Sequence, residues 1–220
     1  MSKLTVHGAK AASAATAKSD IVVVPLFKNE DLSSSSSEVN AAARDVLQRA
    51  ITIGDADAKL GKITTMVGSG NITRIMSVGC GDRASFNLEA QLSVTGAVSR
   101  ALASSKVKNA IVVGDPIADD KDALAQFLEF LGRDMAMACY HYTATLGTPK
   151  PGPTFSKLTV AVDGISAAKA KQSLSVGATI GNGANLTREL VNLPGNVCTP
   201  SYLAKEGRAL GRKYDKLSVS

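Results

Sequence analysis

The sequence predicts a layered α/β fold, and three features carry that prediction. Short β-branched runs alternate with segments whose apolar residues recur at helical spacing. Clusters of Gly, Pro, Asn and Ser punctuate the junctions between them. The 220 residues are 45% hydrophobic and 20% charged, a balance that lets a chain of this length bury a core without metal or disulfides.

Ile21-Val-Val-Val-Pro-Leu26 suits a strand covered on both faces. Ser33–Ser37 reads as a turn and helix entry, because Ser hydroxyls compete for backbone bonds and favour caps. A phosphorylation or linker tract is the alternative. Val39, Ala43, Val46 and Ala50 then follow one helical line. Residues 62–67 and 74–78 read as strands joined by a hairpin turn over Gly68-Ser-Gly-Asn71. Leu88, Leu92, Thr95, Val98 and Leu102 line the next helix, and Ala110–Val113 is a short buried strand. The most regular stripe is Leu124, Phe127, Leu128, Leu131, Met135 and Cys139, with Asp119, Asp120 and Asp122 at its start, where carboxylates complement the helix dipole. Three prolines in residues 147–153 force a loop. Leu158–Val162 gives a further strand.

A boundary is expected near residue 165. Residues 166–191 read as a helix of small residues containing Gly177, Gly181 and Gly183. Each glycine costs a helix about 1 kcal/mol relative to Ala, so close packing must offset it. Thr199 and Pro200 open a last helix in the favoured cap and first-turn arrangement, running to about Tyr214. Leu217–Ser220 has the look of a strand.

Composition excludes several functions. Aromatics make up 4% and Trp is absent, which disfavours a surface for stacking bases or sugars. Cys80, Cys139 and Cys198 form no CxxC pair, so they read as free thiols of a reducing compartment. The first twenty residues lack the apolar stretch of a secretory signal, and no run spans a membrane, so the cytoplasm is the expected location. The net charge is +6, but residues 166–220 carry eight of the 25 basic residues and three of the 19 acidic ones. Lys205, Arg208 and Arg212, with Lys213 and Lys216 beyond, could draw DNA phosphates or an acidic partner. A solvated helix face, with cations at the favourable C-terminal end of the helix, is the plainer reading.

Candidate sites assemble no active centre. Gly68-Ser-Gly70 and Gly181-Asn-Gly183 complete no phosphate-binding loop. Val78-Gly-Cys-Gly-Asp82 could bring amides near a ligand, though a tight turn accounts for its glycines. Asp115, Asp119, Asp120 and Asp122 lack the pattern of a calcium loop and suit helix capping. His7 and His141 each stand alone, with neither a metal-ligand partner nor a nucleophile motif. No catalytic, metal or cofactor-binding residue is therefore assigned.

One segment is specific. Thr187-Arg-Glu-Leu-Val-Asn-Leu-Pro-Gly-Asn-Val-Cys-Thr-Pro-Ser-Tyr-Leu-Ala204 resembles the opening of the catalytic domain in leucyl (cytosol) aminopeptidases. Arg188, Leu190, Asn192, Pro194, Asn196, Pro200, Leu203 and Ala204 all match that family's pattern. Gly54–Gly61, followed by a strand, a turn and Arg74–Gly81, more loosely resembles its N-terminal domain. The resemblance implies a three-layer, macro-domain-like unit with a mixed sheet over 1–165, an inter-domain helix over 166–191, and the first elements of an α/β peptidase domain, truncated, over 192–220. It also implies that the intact enzyme is a homohexamer using two divalent ions, manganese or zinc, to release N-terminal residues, leucine preferred, from peptides. The family's metal ligands, a Lys, three Asp and a Glu, lie downstream of this motif, so these 220 residues alone are expected to be inert. Asn192, Pro194 and Asn196 are expected to form a structured turn at the domain junction. A stand-alone module that binds a small ligand, or DNA through the basic tail, is the alternative.

Overall fold

A computed structural model describes residues 4–115, 117, 118 and 120–219. Its elements in chain order are β1 (Thr5–Lys10), α1 (Ser13–Thr16), β2 (Ile21–Phe27), α2 (Ser34–Ala42), α3 (Val46–Thr52), β3 (Ile63–Val67), β4 (Arg74–Gly81), α4 (Leu88–Ser104), β5 (Asn109–Val113), α5 (Lys121–Ala138), β6 (Lys157–Val162), α6 (Ala167–Asn192) and α7 (Pro200–Lys213). The sheet runs β1-β6-β5-β2-β4-β3. Neighbours are parallel, except that β3 pairs antiparallel with β4 through the expected hairpin.

Alternation along β2 creates two cores, because successive side chains leave a strand on opposite faces. Ile21, Val23 and Phe27 join the core built with Val98 and Leu102 of α4, Leu128 and Leu131 of α5, and Leu174 of α6. Val22, Val24 and Leu26 join the core built with Ala14 of α1, Val39 of α2 and Leu47 of α3. The result is a mixed α/β sandwich of three layers with helices on both faces of the sheet.

The seam between α5 and α6 explains the glycines of the long helix. A methyl group at Gly177 would lie 1.8 Å from the carbonyl oxygen of Glu129, and one at Gly181 would lie 2.4 Å from that of Arg133. On the facing helix, a methyl at Gly132 would lie 2.2 Å from the Leu174 carbonyl oxygen. Backbone therefore rests on backbone, and the close approach offsets the weak helix propensity of glycine.

Several expectations need correction. The single helical line from Val39 to Ala50 is two helices, because Arg44 and Asp45 take positive φ values of 55° and 59°. Buried Asn40 holds the break: its amide donates to Asp45 Oδ1 (2.9 Å) and its Oδ1 accepts from the Gln48 N–H (3.0 Å). Leu47 then takes the core position expected of Val46. Leu88 is 53% exposed, and the buried stripe of α4 begins two residues later at Ala90, with Gln91 and Val94 following. Residues 217–219 form no strand; with no neighbouring ladder, Val219 instead lies against Gly207 and Gly211 of α7. Ser220 lies outside the described residues. Strand β1 was not anticipated at all. It is an edge strand, and Gly8 lets the start of α6 sit on it: a methyl there would lie 2.0 Å from the Ala167 carbonyl oxygen.

Pro25 is unusual in a central strand, since proline brings no N–H to a ladder. Its partner across β4 is Val78, whereas the pairing of β2 with β5 stops at Val23 opposite Val112. Beyond that point the carboxyl ends of β2 and β5 part.

Candidate functional site

The chain leaves β2 through α2 and α3 toward β4, and leaves β5 through α5 toward β6 on the other face. Such a reversal opens a crevice at the strand ends, the usual ligand position in open α/β sheets. Here the crevice measures about 740 Å³ and is bordered by residues 25–33, Gln48, Ile51, Asp57, Arg83 and Asp115. Its cations are paired. Arg83 donates two bonds to Glu30, at 2.7 and 2.8 Å, and its guanidinium lies 3.9 Å from the centre of the Phe27 ring. That hydrogen bond from Arg83 holds the Glu30 carboxyl below its ordinary range. Lys28 faces Asp82 at 3.7 Å. Oδ1 of Asp115 is buried without a hydrogen-bond partner among the described residues. The crevice can accept a donor group but brings together no nucleophile and base.

The motif residues have a clear structural role. The phenol of Tyr140 donates to Glu189 (2.9 Å) and accepts from the Asn192 amide (3.1 Å). Tyr142 donates to the Asn192 carbonyl oxygen (3.0 Å). Arg188 lies 4.2 Å over the Tyr140 ring and donates to the Met137 carbonyl oxygen and to Asn185 Oδ1. The end of α6 is thus fastened to the end of α5. The turn after it is closed by the Val197 and Cys198 N–H groups, which both donate to the Pro194 carbonyl oxygen (2.9 Å). Thr199 caps α7 by accepting from Tyr202, with Pro200 in the first turn. Tyr140, His141 and Tyr142 lie just beyond α5, which ends at its cap, Cys139, so a placement of His141 late in that helix, which the sequence also suggests, does not hold.

The remaining candidates separate. Asp120 caps α5, accepting from the Ala123 N–H at 2.8 Å, and Asp122 lies in its first turn; Asp119 lies outside the described residues. Gly68–Asn71 lies in the strand-to-strand connection, and Gly181-Asn-Gly183 sits inside α6. Gly79 serves close backbone approach, since a methyl there would lie 2.0 Å from the Lys59 carbonyl oxygen, and Gly81 takes a positive φ of 74°; their N–H groups donate to the carbonyl oxygens of Lys62 and Ala58. Cys80 and Cys139 are buried free thiols, pushed up to about 12 and about 11 by desolvation, and Cys198 is partly buried. His7 is held below its ordinary value by burial first, then by Lys157 and Lys171. His141 Nε2 meets the Lys150 carbonyl oxygen at 2.7 Å. Among the described residues no group of three or more His, Cys, Asp or Glu could hold a metal ion. The metal pair implied by the resemblance does not fit these side chains, and no chemical step is derived through it. No described helix is long and apolar enough to cross a membrane.

The fold is that of the amino-terminal part of leucine aminopeptidase structures. A tomato leucine aminopeptidase mutant superposes with a TM-score of 0.77 at 19% identity, covering 97% of this chain and 43% of that one. The manganese complex of the bottromycin maturation enzyme BotP gives 0.64 at 17% identity, covering 89% of this chain and 37% of that one. Residues 23–147 match the family described as "Cytosol aminopeptidase family, N-terminal domain". This chain belongs to that family. It is 32% identical over 216 residues to a "Probable cytosol aminopeptidase" of Ralstonia pickettii, covering 94% of this chain and 43% of the relative. Its similarity to the Burkholderia ambifaria protein of the same description is 28% over 202 residues, covering 90% and 40%. The chain spans about two fifths of the length of the curated relatives it matches.

Proposed function

We propose that this chain is the N-terminal portion of a cytoplasmic, two-metal leucyl aminopeptidase, and that its own residues position the peptidase domain without carrying out hydrolysis. Residues 1–165 would form the macro-domain-like unit, 166–191 the inter-domain helix and 192–220 the opening of the catalytic domain. The observation that carries this reading is the motif at Arg188–Ala204, which the tyrosines after α5 hold in a fixed turn. In the intact enzyme, a homohexamer, two manganese or zinc ions would polarise the scissile carbonyl and supply hydroxide. The manganese in the BotP complex supports that choice of ion. The test is a leucine p-nitroanilide assay of the purified 220-residue chain with and without manganese. No turnover is expected, and metal-dependent turnover would defeat the claim that these residues are inert.

A second reading rests on α7, where Lys205, Arg208 and Arg212 are exposed at positions that share one helical face. These cations would engage DNA phosphates, so retention on DNA should fall with salt and on neutralising Arg208, Arg212 and Lys213. Retention indifferent to those changes removes this reading.

A further inference from the structure

Away from the crevice and from the exposed cations of α7, three arginines from three helices border one depression of about 420 Å³: Arg100 of α4, Arg133 of α5 and Arg188 of α6. Asp134 is the carboxylate among them. Both its oxygens are engaged, Oδ1 by Arg133 at 2.7 Å and Oδ2 by the Thr95 hydroxyl at 2.6 Å. Asp134 therefore neutralises one guanidinium. Among the described residues Arg100 and Arg188 have no carboxylate within ion-pair distance. The Arg100 guanidinium folds back over Gly96, where a methyl group would come within 3.0 Å of its Nη1.

Ser99 supplies the observation that exposed arginines alone would not. It is 1% exposed, borders this depression, and its Oγ has no hydrogen-bond partner among the described residues. A helical serine ordinarily bonds back to the carbonyl a turn earlier, and a buried hydroxyl without a partner is costly. Ser99 is thus a buried polar group with an unmet bond, beside two positive charges in surplus.

We propose that this depression binds the phosphate group of a small phosphorylated molecule. A phosphate dianion carries the charge that the two guanidiniums without a carboxylate balance; its oxygens suit the forked donors of Arg100 and the donors Arg188 keeps besides the Nη1 held by Met137 and Asn185. Ser99 donates to it, meeting its free bond. Leu92, Met137 and Ala138 leave apolar room beside the anion for the rest of the molecule. The site is separate from the crevice at the strand ends and does not depend on the aminopeptidase reading.

Titration of the purified chain with inorganic phosphate, against chloride and acetate at matched ionic strength, tests the site by calorimetry. Saturable phosphate binding with a Kd of about 1 mM or tighter is expected, with acetate at least several-fold weaker. Arg100→Gln, which disturbs no ion pair, should weaken phosphate about tenfold, the effect of one charge-assisted bond. Ser99→Ala should weaken it several-fold, while Arg208→Gln on α7 leaves it unchanged. Phosphate heats no different from chloride overturn the proposal. Affinity untouched by both Arg100→Gln and Ser99→Ala, or lowered equally by Arg208→Gln, overturns it too.

Discussion

Gly177 and Gly183 belong to one helix, yet alanine should act on them with opposite sign. At Gly177 the added methyl would sit 1.8 Å from the Glu129 carbonyl oxygen, where ordinary contact begins near 3.4 Å. The obstacle is backbone, so α5 and α6 must separate by about 1.5 Å locally, enough to forfeit much of the dispersion attraction along the seam. Overpacking of this kind costs about 3 kcal/mol, and the better helix propensity of alanine returns about 1. Gly177→Ala should therefore destabilise the chain by about 2 kcal/mol net. Gly183 has nothing within 4 Å, so Gly183→Ala should keep the propensity gain and stabilise by about 1 kcal/mol. Urea unfolding followed by far-UV circular dichroism reads both. In thermal melts the shifts should be about 4–8 °C down and 2–4 °C up. If Gly177→Ala stabilises as Gly183→Ala does, the two helices do not meet backbone to backbone.

Three further outcomes follow from buried groups. Asn40→Ala should cost about 2 kcal/mol, since it strips the Gln48 N–H and Asp45 of their partner at the break between α2 and α3; an unchanged urea midpoint would contradict that. Under native conditions Ellman's reagent should modify one thiol quickly, Cys198, while Cys80 and Cys139, buried and pushed up to about 12 and about 11, react only on unfolding. His7 is held below the ordinary histidine value of about 6.5 in the folded chain, so the unfolded chain binds the proton more readily. Its contribution to stability is present above pH 6.5 and is lost as pH falls through the lowered folded value. His7→Gln should flatten that slope in urea midpoints taken from pH 7.5 to 5.5, and an unaltered slope would assign it to other groups.

Much of this architecture could be read from residue order, and the failures have specific causes. Strand β2 and helix α5 were legible because their apolar spacing matches the period of each element. Strand β1 was not, because Thr5–Lys10 alternates weakly and owes its place to β6, just over 150 residues away. The break at Arg44 and Asp45 was hidden, since neither residue advertises a left-handed conformation as glycine does. The motif at Arg188–Ala204 was visible as a string. Its anchors, Tyr140 and Tyr142, lie some fifty residues earlier in irregular backbone. The arginines around Ser99 converge from three helices, and no local pattern signals such a meeting.

Pro25 has an effect that outlasts any ligand. It brings no amide hydrogen to either ladder; β2 goes on pairing with β4 through Leu26 and Phe27, while its pairing with β5 ends at Val23. The crevice at the tips of β2 and β5 is therefore present in the chain as it stands, with Pro25 on its border.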